Sequence, residues 1–146
     1  MASSVEEFLT PQEEQEIVGA IRAAELTTSG EIRVHIERHK EGPALERAKE
    51  VFHLLKMDNT KEENGVLIYI AVDDQELAIC GDRGIHSKVP SSFWDSTKDK
   101  MISLFKKGHF KEGIIEGVSC AGNKLGEYFP WKHGDKNELP NEITTS

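Results

Sequence analysis

The side chains able to do chemistry in this chain are mostly oxygen donors. Asp and Glu number 26 against 18 Lys and Arg, a formal charge of −8 over 146 residues. Five oxygen-bearing side chains stand where apolar segments begin or end: Glu31, Glu63, Asn64, Asp82 and Asp95. Ligands of this kind suit hard cations such as Ca²⁺ or Mg²⁺ rather than zinc or copper. Gly81 and Gly84, on either side of Asp82-Arg83, let the backbone approach an ion and offer carbonyls. Each candidate also has an ordinary reading. Glu31 can be the solvated start of a strand, and Asp82 a turn residue bonded to its own backbone. Asp95 can be a first-turn carboxylate favoured by the helix dipole alone.

Other chemistries lack their signatures. No Walker loop, dinucleotide glycine fingerprint or nucleophile elbow occurs. A Cys-x₅-Arg phosphatase loop fails because His86 stands where the Arg belongs after Cys80. An aspartyl-phosphate site needs Asp-x-Asp after an apolar strand, and here the strand runs into Asp73-Asp74-Gln75. An EF-hand loop from Asp58 would place Tyr69 at the bidentate glutamate position. His35-Ile36-Glu37 lacks the Pro-Cys-x-x-Cys partner of a deaminase. The charge excludes nucleic acid and an anionic membrane surface as main partners. The start of the chain shows no basic and apolar leader, and the longest apolar run, 66–72, is too short to span a bilayer. The expected location is cytoplasmic. Cys80 and Cys120 lie in apolar stretches and read as small buried hydrophobes.

These residues need elements to position them. The length is that of one domain, expected over 10–130, with an N-terminal extension at 1–9 and a flexible tail at 131–146. Thr10-Pro11-Gln12-Glu13 is a capping box with proline at the first helical position. Ile17, Ala20, Ile21 and Ala24 continue at helical spacing. Residues 31–38 alternate, Ile32, Val34 and Ile36 against Glu31, Arg33, His35 and Glu37, which predicts a strand with one wet face. A second helix carries Leu45, Ala48, Phe52 and Leu55. The unbroken run 66–72 predicts a central strand covered on both faces, and the short link at 73–75 predicts a hairpin to a strand at 76–80. A loop follows at 81–84. Ser91 or Ser92 is expected to cap a third helix with Trp94, Met101, Leu104 and Phe105 on its apolar face. A fourth helix uses Phe110, Ile114, Val118, Ala121 and Leu125. The class is α/β: an α/β/α sandwich with a small mixed central sheet flanked by about four helices.

A crossover between the first two strands makes them parallel, so Glu31 and Asn64 start at one end of the sheet. The hairpin returns the third strand to that end. Glu31, Glu63, Asn64 and Asp82 then share one rim, and Asp95 can reach in from the third helix. Asp73 and Asp74 fall at the opposite end, as turn residues.

The residues so assembled resemble a family. Ser29-Gly30-Glu31-Ile32 precedes a strand; Met57-x-x-Thr60-x-x-x-Asn64-Gly65-Val66-Leu67-Ile68 enters the core strand; Gly81-Asp82-x-Gly84-Ile85 follows the hairpin. Trp94, Phe110-x-x-Gly113-Ile114 and Phe129-Pro130 complete the set. In this order and spacing they resemble the TPM domain, over roughly residues 8–130. The resemblance implies an α/β/α sandwich, acid phosphatase activity in part of the family, and calcium binding in some members. Glu31, Asn64 and Asp82 match the motif rim, while Glu63 and Asp95 come from the topology alone. Relatives often carry a leader and a membrane segment; this chain shows neither and reads as a stand-alone soluble bacterial-type member. Two functions follow as expectations. One is a module binding Ca²⁺ or Mg²⁺, with a regulatory or interaction role toward a protein partner the sequence does not name. The alternative is a metal-assisted acid phosphatase acting on phosphomonoesters, with Arg83 gripping an oxygen.

Overall fold

The computed structural model describes residues 9–38, 42–57, 63–130 and 143–145. The described elements run α1 (Pro11–Glu25), β1 (Glu31–Glu37), α2 (Ala44–Leu54), β2 (Gly65–Ala71), β3 (Glu76–Gly81), α3 (Arg83–His86), α4 (Asp95–Lys106), α5 (Phe110–Tyr128) and β4 (Ile143–Thr145). The strands form one mixed sheet in the order β3-β2-β1-β4. β1 lies parallel to β2 and to β4, and β2 pairs antiparallel with β3. Among the described residues no helix is long and apolar enough to cross a membrane.

The capping box at the start of α1 forms as the sequence predicts. The Thr10 hydroxyl accepts from the Glu13 amide at 3.1 Å, and the Glu13 carboxylate accepts from the Thr10 amide at 3.0 Å. Ile17, Ile21 and Ala24 then face one side of the sheet together with Ile32, Val34 and Ile36 of β1 and Val66, Ile68 and Ile70 of β2. α5 adds Ile114, Val118, Ala121 and Leu125 to this layer, and α4 adds Met101. A smaller layer covers the other face, where Ala48, Val51 and Phe52 of α2 pack on Leu67, Tyr69, Ala78 and Cys80. The expected α2 face is displaced: Val51 joins it, whereas Leu45 is 46% exposed, because the helix touches the sheet through its middle turns.

Four further expectations change. The polar side of β1 is not wet. All seven of its residues are buried, because β1 is an interior strand with β4 on its outer edge and α2 near its polar side. The 81–84 loop becomes the one-turn helix α3, started by Asp82, whose Oδ1 accepts from the Arg83 amide at 2.7 Å. Ser91 and Ser92 do not cap α4; they lie in a turn that runs straight into it, so Trp94 occupies the cap position with no side-chain bond. Residues 143–145, within the expected tail, pair with Val34–Ile36 as β4. The expected extension at 1–8 and the tail at 131–142 lie outside the described residues, while Leu9 is buried in the larger core.

Close approach of helices explains where glycine sits in α5. A Cβ on Gly122 would lie 2.8 Å from the Ala24 Cβ and 3.2 Å from its backbone, with no flexible atom able to yield. Gly19, on the open side of α1, has nothing within 4 Å. The two sites therefore respond oppositely to the same change. Gly122→Ala is expected to lose about 1–2 kcal/mol, since overpacking of about 1–3 kcal/mol outweighs a helix-propensity gain near 1 kcal/mol. Gly19→Ala is expected to gain about 0.5–1 kcal/mol. Urea unfolding of both variants measures the contrast.

Candidate functional site

Three segments meet at one end of the sheet. The Glu31 amide donates to the Asn64 carbonyl at 3.4 Å, the Asp82 amide to the Gly65 carbonyl at 2.9 Å, and the Gly84 amide to the Glu63 carbonyl at 2.9 Å. The register pairs Glu31 with Gly65, and the antiparallel ladder, extended one step past Val66–Gly81, sets Asp82 on the other side of Gly65. Glu31 and Asp82 thus flank a residue without a side chain, on the same face of the sheet. A Cβ at position 65 would press to 3.2 Å from the Met57 carbonyl. Glu31, Asn64 and Asp82 are all buried.

The remaining candidates are less central. The Glu63 carboxylate is held by Arg83, whose Nη2 lies 2.6 Å from Oε1, and the Arg83 side chain is 84% exposed. Asp95 is exposed at the first residue of α4. The start of that helix is tied to α5 by Lys124, whose Nζ donates to the Phe93 carbonyl and, at 3.0 Å, to the Ser96 hydroxyl. Asp73 lies at the far end in the hairpin turn, 3.0 Å from Arg38 Nε. Trp94 is buried in the core.

One acidic residue of this end escapes the sequence reading. Glu25, the last residue of α1, accepts from the Ile32 amide at 3.0 Å through Oε2. That amide points away from β2, below the point where β4 begins, and the carboxylate supplies the acceptor a strand would have given. The Glu31 carboxylate is a neighbour of Glu25 and disfavours its ionisation. Burial pushes the Glu25 carboxyl up to about 8, reinforced by Glu31 and opposed by the Ile32 amide. A signal for it did exist. A glutamate ending a helix faces the negative pole of the dipole, so its placement there asks for a local reason.

Neighbouring carboxyl groups favour a shared proton, or a cation in its place. Among the described residues no three His, Cys, Asp or Glu side chains form a ready-made metal cage. The end is therefore a row of oxygen donors beside a carboxyl pair, with the loop residues 58–62 lying outside the described set.

The sheet order, two-sided helical cover and acidic strand end define an α/β/α sandwich with its polar site at the strand ends. The TPM domain family matches residues 3–124, and the chain belongs to it. It is similar to the BA42 protein of the psychrophilic bacterium Bizionia argentinensis, solved by NMR, at 54% identity and a TM-score of 0.90, covering 97% of this chain and 98% of that one. The N-terminal domain of a P. gingivalis protein shares the fold at 22% identity and a TM-score of 0.68, over 84% of this chain and 79% of that one. That of the Corynebacterium glutamicum protein cg2496 does so at 9% identity and a TM-score of 0.62, over 92% and 79%. No curated protein matches.

The carboxyl pair sets a pH dependence. The unfolded chain releases the Glu25 proton near 4.5, whereas the folded protein keeps it until about 8. Its contribution is fully present below 4.5 and is lost as the pH rises through 8. Glu25→Gln keeps an acceptor for the Ile32 amide and stays neutral beside Glu31. In metal-free buffer the variant should match the wild type at pH 4 and exceed it at pH 8.5 by about 1–2 kcal/mol, allowing for partial exposure. Denaturant titrations at the two pH values measure this.

Proposed function

We propose that this TPM domain binds a divalent cation, Ca²⁺ or Mg²⁺, at the acidic strand ends and serves as a cation-responsive interaction module. The observation that carries the reading is the placement of the buried carboxylates Glu31 and Asp82 on either side of Gly65, on one face of the sheet. Glu31 and Asp82 would supply carboxylate oxygens from either side of Gly65, with Asn64 between them in sequence and Glu25 behind. Hard cations take six to eight oxygens, so backbone carbonyls and water complete the shell. Glu63 and Asp95 would join only by movement, the first out of its ion pair with Arg83 and the second from the exposed start of α4. The ion supplies charge neutralisation. The protein's part is to hold the start of β1 and the end of β3 in one row. The same reading places the protein in the cytoplasm, where the free thiols Cys80 and Cys120 stay reduced.

The test is titration of chelator-treated protein with Ca²⁺ and Mg²⁺, followed by amide NMR and thermal unfolding. Binding should shift residues 25, 31–32, 63–65 and 81–84. At a hundredfold excess over Kd it should add about 2.7 kcal/mol of stability. Glu31→Gln and Asp82→Asn should each weaken it at least tenfold. Unmoved amides and an unmoved melting temperature would overturn the reading.

A second reading, metal-assisted hydrolysis of phosphomonoesters, is favoured by Arg83, whose exposed guanidinium stands one residue beyond Asp82. A bound cation would polarise the phosphoryl group and Arg83 would grip its oxygens. Metal-dependent hydrolysis of an aryl phosphate that disappears in Asp82→Ala supports it; hydrolysis that survives the change belongs to a contaminant.

A further inference from the structure

At the opposite end of the sheet a cleft of about 560 Å³ opens between the β2–β3 hairpin and the corner joining α4 to α5. It exists because the sheet outruns its helical cover. α4 stops at Lys106, and the chain turns away through Gly108 with φ of 80°. The walls are Ile70 and Leu77 from the sheet, Ile102 and Phe105 from α4, and Phe110 from α5. Ile102 remains 37% exposed. The volume lies inside the range of small-molecule sites, about 300–1,000 Å³.

The lining carries one cation, Lys106, and one anion, Glu76. Lys106 has no ion pair among the described residues. Glu76 stands on the hairpin side of the cleft, so an anionic head is steered toward the α4 side. An apolar trough with one ammonium group at its α4 lip matches a molecule with an aliphatic body and one anionic head.

We propose that this cleft binds a single-chain aliphatic carboxylate, its chain against Ile70, Leu77 and Ile102 and its head at Lys106. The site is independent of the cation reading, since it lies at the other end of the sheet.

The probe is decanoate, kept below its micelle concentration and titrated into the intact, isotope-labelled protein. Saturable shifts should appear in the methyl groups of Ile70, Leu77 and Ile102 and not at residues 31, 64 and 82. Decanol and decyltrimethylammonium should bind at least tenfold more weakly. Lys106→Gln should lower affinity about tenfold, and Ile102→Asp, at a partly exposed position, should abolish binding while leaving the amide spectrum elsewhere unchanged. The proposal is overturned by non-saturating or scattered shifts, by equal binding of decanol, or by a Lys106→Gln variant that binds as well as the wild type.

Discussion

Parallel strands cannot be joined by a tight turn, and the pairing of β1 with β2 imposes that limit on the whole chain. Residues 38–64 must cross from the end of β1 back to the start of β2, and α2 does so over one face of the sheet. The antiparallel return of β3 then brings Asp82 beside Gly65. Once β1 and β2 are parallel, Glu31, Asn64 and Asp82 have no other place to be than one end, and the hairpin turn with its cleft has no other place than the opposite one. The two ends differ in character for this reason. One collects the starts of β1 and β2 and the end of β3 with their polar residues, and the other carries a polar hairpin turn over an apolar stretch of sheet that the helices leave uncovered.

The second consequence concerns the polar side of β1. Facing α2, it is closed in by bonds rather than by water. Arg47 of α2 donates through Nε to both Glu37 oxygens, at 3.1 and 3.0 Å, and through Nη2 to Oε1. The Tyr69 hydroxyl also donates to Glu37, and the His35 ring stacks on Tyr69 with centroids 6.1 Å apart. Burial holds His35 below its ordinary pKa, against the pull of Glu37. A carboxylate that receives this many donors tolerates burial, which is how a strand of alternating polarity can be interior.

Much of the architecture was legible because it depends on local chemistry. The capping box of α1, the two-sided cover of β2 and the α5 stripe of Ile114, Val118, Ala121 and Leu125 follow from spacing alone. The meeting of Glu31, Asn64 and Asp82 was legible one step further on, because strand directions follow from the lengths of the connections. Glu25 was not. Its role depends on the Ile32 amide lacking a strand partner, a fact about where β4 begins. β4 itself is three residues long, too short for a period to register. The start of α4 was misplaced because Trp94 is fixed by burial and by the hold of Lys124 on Phe93 and Ser96, not by a capping side chain.

What the sequence by itself determined is the set of elements, their order and the donors each carries to its end, since these rest on periodicity, caps and turn lengths. Only the tertiary structure decided which polar groups are buried together. The alternation of β1 shows which side each residue takes, and not whether that side meets water. Glu25 and Glu31 were two ordinary acids until the end of α1 and the start of β1 were brought together. Lys106 was an ordinary surface cation until α4 ended beside an uncovered length of sheet. Ionisation, pairing and access depend on distances between segments far apart in the chain, and no local pattern encodes those distances.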